Sequence, residues 1–254
     1  WLNGNYDIFT GQFFQELRPY NPRQLFPGGI PKEWPRYRSL DWGFYPGYAA
    51  AGWYAIDYNG RVYKYRELYV QQHNPPDLAR RIKEMSGEEQ YVATLADPSM
   101  WAKDQYGKEI HAQGETVAYK PGTSHSIQQE IDHSGVRLTP GINDRIPGWA
   151  RLKTLIYHDA EHESNFWVSE ECPHTIRVYP DQQYNQGAGN PEDMDTDGED
   201  HIPDGDRMFA MGAVKPAPPA QNNMSSVQAL RERLREERQP KSNLYGLYGK
   251  SDGV

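Results

Sequence analysis

Residues 36–70 read RYRSLDWGFYPGYAAAGWYAIDYNGRVYKYRELYV. Asn59-Gly60 sits between two runs rich in aromatic and β-branched residues. Asn-Gly is the strongest short hairpin signal, because a tight turn there needs a positive φ. With the shorter run RYRSLD ahead of them, these runs predict three consecutive antiparallel strands. Asp41 falls inside the first, between Leu40 and Trp42. An ionised side chain in a strand is costly unless it is paired or binds a metal.

Beyond Val70 the period changes. PDLARRIKEMSG (76–87) carries Leu78, Ile82 and Met85 at helical spacing, with Pro76 at its start and Gly87 as its stop. YVATLADP (91–98) is a continuous apolar run, the pattern of a buried strand, and it ends at Asp97. SHSIQQEIDHSG (124–135) predicts a second helix, VRLT (136–139) a short strand, and PGWARLKTLIYH (147–158) a third helix opened by Pro147. NFWVS (165–169) reads as a further strand, CPHTIRVYPDQQ (172–183) is ambiguous, and a last helix is expected from about Pro203 to Met211. Three strands, helix, strand, helix, strand, helix is the order of an RNase H-like mixed α/β sheet flanked by helices.

That domain is expected to span residues 36–212. Residues 1–35, with Pro19, Pro22, Pro27, Pro31, Pro35 and Gly28-Gly29, read as a linker. Residues 185–200 read as an acidic, Gly-rich loop. Residues 213–254 read as a flexible tail: a KPAPPAQNNMSS linker, then a short charged helix striped with Val227, Leu230 and Leu234. The chain opens at Trp1 rather than Met, so it is expected to be part of something longer.

Composition narrows the function. Of the 254 residues, 37% are hydrophobic, and 18 Tyr and 7 Trp supply much of the core. No apolar run approaches the ~20 residues of a membrane span. The single Cys172 excludes an internal disulfide framework and a Cys-based zinc site, and reads as a small buried hydrophobe. A net charge of -8 argues against coating nucleic acid by bulk charge. DNA contacts would come from local patches: Arg36 and Arg38, the Arg80, Arg81 and Lys83 group, and Lys103 with Lys108.

Hydrolysis of a phosphodiester requires a neutralised phosphate and an activated water, which two divalent ions ~3.5–4 Å apart can supply. Mg²⁺ and Mn²⁺ take hard oxygen ligands, so carboxylates must converge. Asp41, Asp97 and Asp204 stand where an RNase H-like sheet would bring them together. Each has a plainer reading. Asp before Pro is a turn former, and Asp in a helix's first turn is a dipole partner.

GNYDIFTGQFF, YRSLDWGF, LADPSMW, NDRIPGWARLKTLI and EDHIPDGDRMFAM occur in that order. Over roughly residues 1–212 they resemble the C-terminal nuclease domain of the large terminase subunit of tailed bacteriophages. The resemblance implies that Asp41, Asp97 and Asp204 are catalytic and hold two Mg²⁺ or Mn²⁺. Asp41 would lie between the ions, with His201 a possible metal-side residue. It implies concatemeric viral double-stranded DNA as substrate, portal protein and terminase small subunit as partners, and the host cytoplasm as location. The ATPase half, whose GxxxxGK[ST] loop is not in this sequence, would lie upstream. The tail helix around Leu230 and Leu234 is a candidate partner contact. Gly205-Asp206 departs from the family's usual small apolar residue, so Asp206 competes as third ligand, and Asp200 and Glu67 stay open as additions.

Other readings are weighed residue by residue. Asp193, Asp195 and Asp197 with Gly198 resemble the start of an EF-hand loop, but Asp204 stands where the bidentate Glu belongs, so a solvated acidic loop is preferred. His158 and His162 are four apart but lack the HExxH glutamate. Glu67 reads more simply as an exposed strand residue, Glu170 and Glu171 as surface charge, and Trp42, Trp53, Trp149 and Trp167 as packing. Two other classes remain: another RNase H-like nuclease such as a resolvase or recombinase, and a non-catalytic domain that docks on DNA or portal.

Overall fold

The computed structural model describes residues 11–15, 17–43, 47–102, 110–112, 115–117, 126–187, 190–195 and 198–214. Along them run β1 (Arg18–Tyr20), α1 (Pro22–Leu25), β2 (Arg36–Asp41), β3 (Tyr48–Ile56), β4 (Val62–Gln71), α2 (Pro75–Ser86) and β5 (Ala93–Ala96). A 3-10 turn at Pro98–Trp101 follows, then β6 (Ile110–Ala112), β7 (Glu115–Val117), α3 (Ile127–His133) and β8 (Thr139–Pro140). The last elements are α4 (Arg145–Ile156), β9 (Phe166–Ser169), α5 (Pro173–Asp181) and α6 (His201–Gly212). Seven strands form one sheet in the order β1-β9-β4-β3-β2-β5-β8. Strands β2, β3 and β4 are antiparallel neighbours, while β5 and β8 extend one side in parallel and β9 and β1 the other. This is the mixed RNase H-like sheet that the element order predicts.

The hairpin turns at Asn59-Gly60, as read from the sequence, and Gly60 adopts a φ of +81° that favours glycine. The connection is longer than two residues. Asp57, nearly buried, closes it by accepting from the backbone N–H of Asn59 at 2.8 Å and of Arg61 at 2.9 Å.

A bulge then re-aims one strand. Trp53 pairs with Arg66 but Tyr54 pairs with Lys64, so Tyr65 is the extra residue. Tyr65 and Arg66 therefore both reach Glu89 beyond one face of the sheet. Lys64 and Glu67 both reach the opposite face, towards Asp206 on α6 and the start of α5. Strict alternation would have separated them.

The face carrying α4, α5 and α6 holds a core that includes Tyr54, Val62, Trp149, Leu152, Phe166, Val178 and Phe209. Across the sheet, Tyr63 packs against Tyr20, Phe26 and Trp34.

That aromatic cluster corrects the linker reading over the described part of residues 1–35, which is 11–15 and 17–35. Among its described residues, β1 pairs with β9, and Phe13, Phe14, Tyr20, Phe26 and Trp34 are all buried. The prolines belong to a wall of the domain; Pro22, for example, opens α1, where its missing N–H costs nothing. The loop before α6 is also less solvated than expected, because Met194 is buried and bridges to Tyr184. The ambiguous 172–183 segment contains helix α5. The tail helix, Lys103 and Lys108 lie outside the described residues. Among the described residues, no helix is long and apolar enough to cross a membrane.

Candidate metal centre

Strands β2 and β5 run parallel, with Leu40 beside Ala96. Asp41 ends β2 and Asp97 follows β5, so both carboxylates leave the same edge of the sheet, and Asp97 N–H donates to the Leu40 carbonyl at 3.3 Å. Helix α6 begins across that edge. Its first residue, His201, meets Asp41 Oδ2 through Nδ1 at 2.8 Å. Asp204 stands in the first turn of α6. Asp41, Asp97, His201 and Asp204, distant in sequence, thus come to one place.

Their charges act on one another. Burial raises the Asp41 pKa, the His201 contact opposes this, and the charges of Asp204 and Asp97 add to the rise. Asp200, just ahead of α6, is pushed up to about 6 by burial and by the Asp204 and Asp41 charges, against His201. The Asp41 hydrogen bond raises the His201 pKa against the effect of burial.

Two arginines neutralise Asp204. Arg207, one helical turn on and only 1% exposed, donates to Oδ1 through Nε at 2.9 Å. Arg145, at the start of α4, reaches Oδ2 through Nη1 at a longer 3.3 Å and holds Asp193 through Nε at 3.1 Å. Both guanidinium groups lie over the Trp149 ring, at 5.3 Å for Arg145 and 5.0 Å for Arg207. Asp97 accepts from Ser99 N–H at 2.6 Å and from Asn143 Nδ2 at 3.0 Å, and Asn143 Oδ1 accepts from Arg207 Nη2 at 2.6 Å. Sequence reasoning missed Asn143, Arg145 and Arg207; the first two fall in the NDRIPGW stretch and the third in DGDRMF.

The donor set fits a hard divalent cation. The raised pKa of Asp41 is of the kind that a metal charge relieves, and Asp41, Asp97 and Asp204 all offer oxygen. Among the described residues, no three His, Cys, Asp or Glu side chains stand close enough together to hold a metal ion as they are arranged here. Internal donors hold the carboxylates instead.

Several expected site residues have other work. Asp206 is fully buried and bound by Lys64, Tyr54 and Tyr179, on a different face of α6 from Asp204. Glu67 is neither exposed nor at the metal centre: it accepts from His174 N–H at 2.6 Å and Thr175 N–H at 3.0 Å, capping α5. Arg36 donates to the Ile30 carbonyl, and Arg38 to Thr94 and Ser86 while stacking on Tyr91. Those two arginines brace the fold rather than present a DNA patch, since strand alternation turns them into packed layers. Arg80 pairs with Asp77 and Glu84, and Arg81 with His73, both on α2. Asp193 belongs to Arg145 and Trp149, which leaves the EF-hand resemblance without its first ligand. Its pKa lies low, because these donors outweigh burial. His162 pairs with Asp159 in the loop after α4. Trp53, Trp149 and Cys172 are core residues, and burial pushes the Cys172 thiol up.

A mixed sheet with acidic side chains at the ends of β2 and β5 and at the head of α6 defines a domain of RNase H-like fold. Solved structures that share it include large terminases and nuclease domains of large terminases. The phage P22 large terminase nuclease domain aligns with 80% of this chain and 92% of its own, at 13% identity and a TM-score of 0.57. The large terminase nuclease of thermophilic phage G20c aligns with 81% of this chain and 100% of its own, at 14% identity and a TM-score of 0.53. The large terminase of a thermophilic bacteriophage, solved in complex with ADP, aligns with 82% of this chain at 17% identity and a TM-score of 0.56. The present chain spans 44% of that protein's length. No protein-family model and no curated protein matches the sequence.

Proposed function

We propose that the chain is the nuclease part of a bacteriophage large terminase subunit, a divalent-metal-dependent endonuclease that cuts double-stranded DNA. The observation that carries this is the meeting of Asp41, Asp97 and Asp204 at one sheet edge, with His201 on Asp41. The G20c terminase nuclease, of the same fold at a TM-score of 0.51 and 15% identity, was solved with bound magnesium. Asp41, Asp97 and Asp204 would supply oxygens to Mg²⁺ or Mn²⁺, two ions by the sequence resemblance. Such ions, when bound, neutralise the phosphate and activate the attacking water. His201 orients Asp41, and burial of that carboxylate disfavours its negative charge until a cation arrives.

In this reading the substrate is concatemeric viral DNA, cut during head filling in the host cytoplasm. An ATPase domain precedes the nuclease, and portal protein and small subunit are the partners. The large terminase solved in complex with ADP, of which this chain covers 44%, supports the ATPase part of that assignment.

One observation favours a second reading. Arg145 and Arg207 already neutralise Asp204, as a domain that docks on DNA or portal without cutting would permit. Cleavage of supercoiled plasmid separates the two. The nuclease reading expects cutting with Mn²⁺ or Mg²⁺, and loss with EDTA or in Asp41→Ala. Folded wild-type protein, within its full-length subunit, that never cuts in either metal would leave the docking role. Preference for a four-way junction over linear duplex would move the assignment to a resolvase.

A further inference from the structure

The geometry points to Asn143 and Arg207 as positioning residues that hold Asp97 and Asp204 at a set separation. The proposal rests on the metal-nuclease reading above. One continuous chain of hydrogen bonds joins the two carboxylates. Asn143 Nδ2 donates to Asp97 Oδ2 at 3.0 Å, Arg207 Nη2 donates to Asn143 Oδ1 at 2.6 Å, and Arg207 Nε donates to Asp204 Oδ1 at 2.9 Å.

The middle link has to donate to a carboxylate and accept from a guanidinium at once. A neutral amide does both. An aspartate there would accept from Arg207 but repel Asp97. A lysine would donate to Asp97 but repel Arg207. Asn143 lies on the loop between β8 and α4, while Asp97 follows β5 and Asp204 belongs to α6. The amide therefore ties three separate elements together at the site.

Arg207 is the fixed end of this chain. It is buried, lies over Trp149, and runs past Gly148, where a Cβ would come within 2.6 Å of its Cγ. Arg145 contrasts with it. Its contacts to Asp204 are 3.3 and 3.4 Å, it is 30% exposed, and it is shared with Asp193. It can leave Asp204 without disturbing Arg207. Partners that orient metal-binding side chains typically change metal affinity by about 10–100-fold when removed.

The test is Mn²⁺ binding alone, without DNA, followed by electron paramagnetic resonance of the ion. It uses the full 254-residue chain as wild type, Asn143→Ala, Arg207→Lys, the double variant, Arg145→Ala and Asp97→Asn. Asn143 is exposed, so Asn143→Ala is expected to keep the wild-type Tm. Arg207→Lys keeps the charge but loses the planar fork. Asn143→Ala and Arg207→Lys are each expected to weaken Mn²⁺ binding at least about tenfold, and the double variant no more than the worse single one. Arg145→Ala, which removes a competing cation, is expected not to weaken it. Wild-type affinity in Asn143→Ala, or additive losses in the double variant, overturns the proposal while the metal reading stands. A wild type that binds no Mn²⁺, or binds it no better than Asp97→Asn, overturns the metal reading and this proposal with it.

Discussion

Lys64 Nζ stands 2.8 Å from Asp206 Oδ1 and 3.0 Å from Oδ2, with the two side chains 2% and 0% exposed. The pair joins the first part of β4 to α6. Tyr54 and Tyr179 donate to the same carboxylate, and burial holds both phenols protonated, their pKa values raised further by the Asp206 charge. Removing one partner of a buried pair leaves an uncompensated charge and costs about 3–5 kcal/mol. Lys64→Met is therefore expected to lose that much in urea unfolding. The double variant Lys64→Met, Asp206→Leu should recover a large part of it. A loss below about 1 kcal/mol in the single variant would mean that Asp206 stays satisfied without the lysine.

Gly148→Ala tests the packing behind the site. The new methyl would sit 2.6 Å from Arg207 Cγ and 2.9 Å from its Cδ, so the arginine must move. Overpacking of this kind typically costs about 1–3 kcal/mol. Calorimetric melting should show the loss, and Mn²⁺ affinity should fall with it, because Arg207 can no longer hold Asp204. Unchanged values for both would place the guanidinium elsewhere.

Helix α5 lacks a side-chain cap of its own, since Cys172 provides none. Glu67 supplies it from β4, also accepting from the Thr175 hydroxyl at 2.5 Å. Glu67→Ala is expected to cost about 1–3 kcal/mol, and Glu67→Gln, which keeps one acceptor, less than that. Equal stability of the alanine variant and wild type in thermal melts would remove the capping role.

Stability should respond to pH through Asp200. Its pKa is raised from an ordinary carboxylate value to about 6, chiefly by burial and then by Asp204 and Asp41. A raised folded pKa means that the contribution is intact below the unfolded value and lost as pH rises through the folded one. Ionised Asp200 thus strains the metal-free fold above pH about 6. In EDTA, Asp200→Asn should melt higher than wild type at pH about 7.5, by on the order of 1–2 kcal/mol, and match it near pH 4. A constant offset across that range would show that the substitution acts by packing rather than charge.

The hairpin about Gly60, the apolar strand ending at Asp97 and the amphipathic face of α2 were legible because each is a local pattern. Asp97 stood out because it ends an apolar strand, and Asp41 because a carboxylate inside a strand is costly; the parallel pairing of β2 with β5 then brings the two together. Residues 11–35 misled because their buried aromatics follow no period and their strand pairs with β9, far along the chain. Arg38 misled because a basic side chain carries no mark of the hydroxyls and the tyrosine ring that receive it. Glu67 misled because strict alternation assigns it a face that the bulge at Tyr65 reverses.

Periodicity assigned strands and helices, and the spacing of carboxylates to element ends marked where charge gathers, because side-chain direction repeats every two residues in a strand and every 3.6 in a helix. Which donors meet those carboxylates was settled by packing. Asn143, Arg145 and Arg207 reach Asp97 and Asp204 only when α4 and α6 settle on the sheet, with Gly148 leaving room for the arginine. Such contacts join residues up to 64 positions apart and have no local period to announce them.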